Sequence, residues 1–417
     1  MLPAVPPRPE RPDTGGQRRG HLDTLPGPAG GGSERPVSDS PPSARQSLPL
    51  RGYLAPWTWM LSVRDRSPSA QPAAAHRALS VLAGVSLLAG MRLLWNSTIT
   101  DYPLYGAVVV GSYGAIMVLA AAAVAVRTRR ALTVVDAAVL VVGIALFICS
   151  VRTTMVPGHL ATANDVGMVM QSGADEILRT GRLYGDNWPL AHSALAPGNS
   201  IISPTVLFDG RIVSNYGYPP LGALLAAGIT ALTGAPAGAL LAAVLGLIAT
   251  SVLMFRLLPA QLRPLAAVAC FGLSILPRYA LSEYPVLVAL AFLVVAVADW
   301  PTVGAGDKLG LRGVVRAYCL GLAVATHQLA WFVAPFLVLG LWLVRRGRSR
   351  TLSATSLTAR YTGIAAVSWL LPNLPFILRS PSTWLNGSLE PLPRPASRSP
   401  RRQPRSSCAP SPPPPRP

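Results

Sequence analysis

The chain has 417 residues, 51% of them hydrophobic and only 13% charged, yet its formal net charge is +19. A soluble fold of this length cannot carry so large an apolar share, and the apolar residues come in blocks of roughly 18–23, the length that crosses a bilayer core. The positive excess does not point to nucleic acid, because the basic residues sit in the two tails and between apolar blocks, without interleaved aromatics.

The first 75 residues are rich in Pro, Gly, Ser and Arg and show no apolar periodicity. Such a segment cannot bury enough surface to offset its ordering entropy, so 1–75 reads as a disordered cytoplasmic segment. No apolar h-region of a signal peptide follows the start. Apolar blocks then occupy 78–95, 104–126 and 131–151, predicting three transmembrane helices within 76–151. Six more blocks, 235–255, 264–280, 284–300, 314–327, 328–344 and 361–378, predict six further spans within 235–380. Residues 381–417 read as a disordered Pro- and Arg-rich tail, whose abrupt change of composition is expected of a frameshift or a shortened reading frame. The four cysteines have no paired spacing, so neither a disulfide framework nor a zinc site is implied.

The piece 219–233 is apolar but short, and it opens on Pro219 and Pro220. Charge decides whether it crosses. If it does not, Arg127, Arg129, Arg130, Arg256, Arg263, Lys308, Arg312, Arg316 and the cluster from Arg345 to Arg350 all fall inside. The short outer loops 96–103 and 281–283 then hold no Lys or Arg. If it crosses, the Arg345 cluster falls outside, against the positive-inside rule. Residues 219–233 are therefore predicted to lie along the outer interface. The expected fold is all-α: a polytopic bundle of about nine spans in the inner (plasma) membrane, N-terminus cytoplasmic. A long outer loop, 152–234, carries peripheral amphipathic helices. Spans 314–327 and 328–344 meet at His327-Gln328 and are read as a tight hairpin in preference to one long helix.

That outer loop concentrates the polar groups, among them Asn164, Asp165, Gln171, Asp186, His192, Asp209, Arg211 and Asn215. Within it, 165–180 has helical periodicity. Val166, Val169 or Met170, Gly173 and Ile177 fall on one face, and Asp175, Glu176 and Arg179 on the other. Asn164 suits the N-cap and Gly181 the C-terminal stop.

Four segments carry a resemblance. Asn164-Asp165 through Gln171, Ala174, Ile177-Leu178, Gly181 and Leu183-Tyr184 resembles the first outer-loop signature of the GT-C superfamily, integral-membrane glycosyltransferases that use polyprenyl-phosphate sugars. Tyr218-Pro219-Pro220-Leu221 is similar to the element that opens its second peripheral helix. Ala325-Thr326-His327-Gln328 with Pro335, and Asn373-Leu374-Pro375-Phe376 with Pro381 and Trp384, complete the order. Many relatives carry a Lys near the place of His327. The resemblance implies sugar transfer, of mannose or arabinose type, from a polyprenyl-phosphate donor to a cell-envelope glycan or glycolipid acceptor on the outer face. Asp165 would be the catalytic or metal-associated carboxylate, and Arg179, Arg182, Tyr184, Tyr218 and His327 would contact substrate. Cations or donors must take up the charge of the departing phosphate. Mg²⁺ or Mn²⁺ would suit oxygen ligands, although no dedicated ligand cage stands out and the metal assignment stays unknown.

The residues alone also fit plainer roles. Asp165 can be a carboxylate at a helix N-terminus, Asp175 and Glu176 a solvated face, and Tyr218-Pro219-Pro220 a structural start. Glu283, flanking an outer helix end, could line a cavity. At the level of function, a transporter or flippase of a lipid-linked substrate and a non-catalytic membrane protein remain as competing expectations.

Overall fold

The structure, a computed structural model, describes residues 71–92, 103–154, 165–185, 216–305 and 308–389, all within one compact unit of the chain. The expectations for 1–70 and for the tail beyond 389, and those for Asn164, Asp186, His192, Asp209, Arg211 and Asn215, lie outside these residues.

Every regular element among the described residues is helical. They run α1 (Ala74–Gly90), α2 (Pro103–Ala125), α3 (Arg129–Thr154), α4 (Asp165–Thr180), α5 (Leu221–Thr233) and α6 (Gly238–Leu257). Then come α7 (Pro264–Ala267, prolonged by a π turn Val268–Gly272), α8 (Ile275–Leu281), α9 (Val286–Val297), α10 (Gly310–Val324), α11 (Leu329–Arg346), α12 (Thr351–Arg379) and α13 (Pro381–Leu389). Each of the nine apolar blocks therefore holds helix, but the helices differ in length. Among the described residues five are long and apolar enough to cross a membrane: α2 from Tyr105, α3 to Arg152, α6, α11 and α12. A sixth is present if the pair α7–α8, bent by 50°, counts as one broken span. The long helices turn large apolar side chains outward, including Val118, Phe332, Phe336, Leu371 and Leu378. Such a surface belongs in lipid, and the protein is membrane-embedded.

The predicted span 264–280 is a broken one. Ser274 takes a left-handed backbone (φ 57°) between the π turn and α8, which an uninterrupted helix cannot accommodate. The predicted span 284–300 is likewise shorter, because Pro285 opens α9 and Asp299, at φ 46°, ends it before the 3₁₀ turn Trp300–Thr302. Its 12 residues rise about 18 Å, well short of a bilayer core of about 30 Å. The His327-Gln328 junction is a break between two helices, as the hairpin reading requires: α10 ends at Val324 and α11 starts at Leu329.

Packing relies on small residues at close approaches. A Cβ on Gly246 of α6 would lie 2.8 Å from the backbone nitrogen of Val288 in α9. Three apolar clusters result: one around Leu87, Phe147 and Phe271, one around Met170, Tyr184, Tyr216 and Phe376, and one around Leu320, Leu341 and Tyr361. The middle cluster lies beneath α4 and α5 and carries the candidate site.

Candidate functional site

α4 stops where the sequence indicates. Gly181 is left-handed (φ 68°), and its N–H closes on the Ile177 carbonyl at 2.9 Å. α5 ends the same way, with Gly234 at φ 67° donating to Thr230. Gln171 fastens both helices to the bundle. Its Nε2 donates to Asp175 Oδ1 (2.8 Å) and Thr230 Oγ1 (3.4 Å), while its Oε1 accepts from the Ala239 N–H in the first turn of α6 (2.9 Å).

One face assignment is overturned. Glu176, expected on the solvated face, is 9% exposed. Burial alone would raise its pKa. Hydrogen bonds from Arg179 (2.7 and 2.8 Å) and Thr180 (2.8 Å), with the charges of Arg179 and Arg182, outweigh that and hold it below the ordinary carboxylate range. A helix periodicity of 100° per residue cannot foresee this, because the flanking Arg179, itself 72% exposed at its side chain, supplies the compensation. Arg179 is thereby committed to its own helix.

The four segments singled out in the sequence converge. Tyr184 donates from its hydroxyl to the Tyr218 carbonyl (2.8 Å), and its ring meets Tyr216 and the edge of Phe376. The Leu221 N–H donates to the Ala325 carbonyl (3.0 Å). Buried Gln328 donates to the carbonyls of Gly217 and Ser388. Asn373 donates to the Trp369 carbonyl one turn back in α12, and it accepts from Trp384 Nε1 at 3.0 Å.

At the start of α4, Asp165 is 7% exposed and its charge reaches Tyr218 and Tyr284. Burial first, and that charge second, push both phenols up. Tyr218 stacks on His327 with ring centroids 5.2 Å apart. Burial pushes the His327 ring down to about 4, so it is neutral at physiological pH. Its Nδ1 accepts from the Leu329 N–H (3.0 Å), which puts the ring proton on Nε2. His327 can therefore serve as a neutral donor, not as a cation.

The residue that sequence reasoning undervalued is Glu283. It sits between α8 and α9 with a left-handed backbone (φ 62°), uncommon for a non-glycine residue. Its side chain lies so close to α4 that a Cβ on Gly167 would come within 2.8 Å of both its Cβ and its Oε2. Burial lifts its carboxyl to about 7. Two carboxylic residues, Asp165 and Glu283, thus border the first turn of α4 in different environments. Strain at a half-buried acid is a recognised mark of a functional position.

The remaining expected contacts lie elsewhere. Sixteen residues of α4 rise about 24 Å, so Arg179 near its end and Arg182 beyond it sit away from Asp165. There Arg182 and Tyr184 line a cavity of about 320 Å³ with Phe376, Arg379, Ser380, Thr383 and Trp384. Arg379, missed in the sequence, also donates to the Gly181 carbonyl (3.1 Å) at the end of α4. Trp384 is shared with an apolar groove of about 590 Å³ between α10, α11, α12 and α13. No group of three or more His, Cys, Asp or Glu gathers among the described residues. An Mg²⁺ or Mn²⁺ ion at Asp165 would thus draw most of its oxygen ligands from substrate phosphate and water.

Comparison with family profiles, with curated proteins and with solved structures found no match to this chain.

Proposed function

We propose that the protein is an outer-face membrane glycosyltransferase that moves a sugar, of mannose or arabinose type, from a polyprenyl-phosphate donor to a cell-envelope glycan or glycolipid. The observation that carries this reading is the convergence of the four GT-C-like segments through Tyr184, Tyr218, His327, Gln328 and Phe376, with two acids at the edge of that convergence. In this reading the long helices span the inner (plasma) membrane, the shorter apolar ones pack among them, and the N-terminus is in the cytoplasm. The α4–α5 layer then lies at the outer headgroup level.

The chemistry assigned to the site is a displacement at the anomeric carbon. The acceptor oxygen forms the new bond, the bond to the lipid phosphate breaks, and the acceptor proton goes to a carboxylate. Glu283, poised near neutrality, suits that proton transfer, because a base works best with a pKa near the operating pH. Asp165 orients the sugar or the ion that accompanies the phosphate. His327 Nε2–H offers a neutral donor to the departing phosphate. Arg182 and Arg379, a helix length away, fit a second anionic group of the donor or acceptor and not the reacting phosphate.

Membranes containing the protein, incubated with labelled polyprenyl-phosphate mannose or arabinose, are expected to move the label into a glycan or glycolipid. Asp165→Asn is expected to stop this with folding intact. Label that crosses the membrane without changing its attachment would favour transport, a reading encouraged by the buried His76–Asp136 pair between α1 and α3.

A further inference from the structure

α6 starts beside Gln171 of α4, and a second polar constellation lies past its other end, near Pro259. His76 of α1 is 2% exposed, and its Nε2 lies 2.8 Å from Asp136 Oδ2 of α3. The Asp136 side chain is wholly buried, and its Oδ1 has no hydrogen-bond partner. An acid placed inside a span is costly, and it persists where it has work to do. Here it fixes one nitrogen of His76 and leaves the other, Nδ1, as the ring atom that can meet a ligand.

His76 is also a wall of a cavity of about 180 Å³, roughly ten times the space that one water needs. The other walls are Ala73, Arg129, Pro259, Ala260 and Gln261. Arg129 spends its Nε on the Gln71 carbonyl (3.3 Å), which leaves the fork of its guanidinium for the cavity. Ala73 is the N-cap of α1 and gives that helix no side-chain cap, so the positive end of a 17-residue helix opens on the same space. No carboxylate lines the cavity, since Asp136 stands behind the imidazole. A guanidinium, an imidazole backed by an acid, a primary amide and an uncapped helix start together describe a site for negative charge.

We propose that this cavity binds a phosphate-type anion, gripped by Arg129 and Gln261 and seated on the His76–Asp136 pair. The Asp136 carboxylate, 2.8 Å from Nε2, holds the imidazole in place at the cavity wall. Two sources offer the same chemistry: the phosphodiester of an anionic phospholipid at the bilayer surface, and a phosphate group from the aqueous phase. The site is separate from the one at α4 and does not depend on the sugar-transfer reading.

The test uses the full chain in an uncharged detergent, titrated with inorganic phosphate and followed by ³¹P line broadening and by melting temperature. The same protein is then placed in phosphatidylcholine nanodiscs with and without phosphatidylglycerol. Saturable stabilisation by phosphate is expected. Arg129→Ala should weaken it about tenfold, as for the loss of a charge-assisted contact. Gln261→Ala, at an exposed side chain that cannot unmake the fold, should weaken it a few-fold. Arg130→Ala, an exposed neighbour outside the cavity, should leave it unchanged. Asp136→Asn should weaken it too, although Asp136 is not among the cavity walls. A pair with only a structural role would instead lower the ligand-free melting temperature and spare the affinity. Phosphate acting equally in both nanodiscs identifies a soluble anion. Stabilisation by phosphatidylglycerol that Arg129→Ala abolishes identifies the lipid. Equal losses in the Arg129 and Arg130 variants, or no stabilisation by either probe, would overturn the proposal.

Discussion

Gly167→Ala isolates the contact that gives α4 its neighbour. Replacing glycine by alanine inside a helix normally stabilises by up to about 1 kcal/mol, because the unfolded chain loses freedom and the helix gains a better former. At Gly167 the new Cβ meets Glu283 Cβ and Oε2, each at 2.8 Å. The carboxylate end can rotate away, but a Cβ cannot. Overpacking of that kind costs about 1–3 kcal/mol, which exceeds the helix gain, so a net loss is expected. Gly228 of α5 is the matched control, since nothing lies within 4 Å of a Cβ placed there. Gly228→Ala should raise the melting temperature in detergent while Gly167→Ala lowers it. Glu283→Gly, which suits the left-handed backbone at φ 62° and removes the obstructing side chain, should restore the Gly167→Ala protein in the double variant. Gly167→Ala and Gly228→Ala melting alike would refute the packing of Glu283 against α4.

Glu283 also sets a pH dependence. Its folded carboxyl, lifted by burial from 4.5 to about 7, holds its proton more tightly than the unfolded chain does. The associated stability is therefore fully present below about 4.5 and is lost as pH rises through 7, by at most about 3 kcal/mol. Melting curves between pH 4 and 8 should show that decline, and Glu283→Gln should flatten it. His327→Phe should leave any activity profile between pH 5 and 8 unshifted, because the ring is already neutral there, while lowering the rate through loss of the Nε2 donor. Gln171→Leu should cost about 1–3 kcal/mol in a denaturation series, since it orphans the Ala239 N–H at the start of α6. Asn373→Ala should release Trp384, visible as a red-shifted tryptophan emission.

Much of this fold could be read from residue order. The nine apolar blocks each hold helix and Gly181 marks where α4 stops, although α4 and α13 fall outside those blocks and α13 opens the stretch 381–417 that composition reads as a disordered tail. These are local or additive signals, and the chain states them within one segment. What it does not state is tertiary. The bends at Ser274 and Asp299 shorten two blocks that hydropathy counts as full spans. The burial of Glu176 depends on an arginine that folds back along the same helix. Glu283 gains its place from Gly167, more than a hundred residues upstream, and no periodicity links the two. Arg379 gives no sign in the sequence of lining a cavity, because an arginine at a span end ordinarily marks a boundary. The separation of Asp165 from Arg182 follows from plain length, since a helix four turns long keeps its two ends apart.

The ties made by Gln328 and Asn373 also bear on the order in which the protein can be built. The floor under α4 is laid by Tyr184, Tyr218, His327, Phe376 and Trp384, and its last fastening, the Ser388 carbonyl, belongs to α13. A ribosome that has released α4 must still deliver some two hundred residues before that carbonyl exists. During synthesis the acids at 165 and 283 therefore wait on an unfinished support, and any activity they have switches on only after the chain has passed α13.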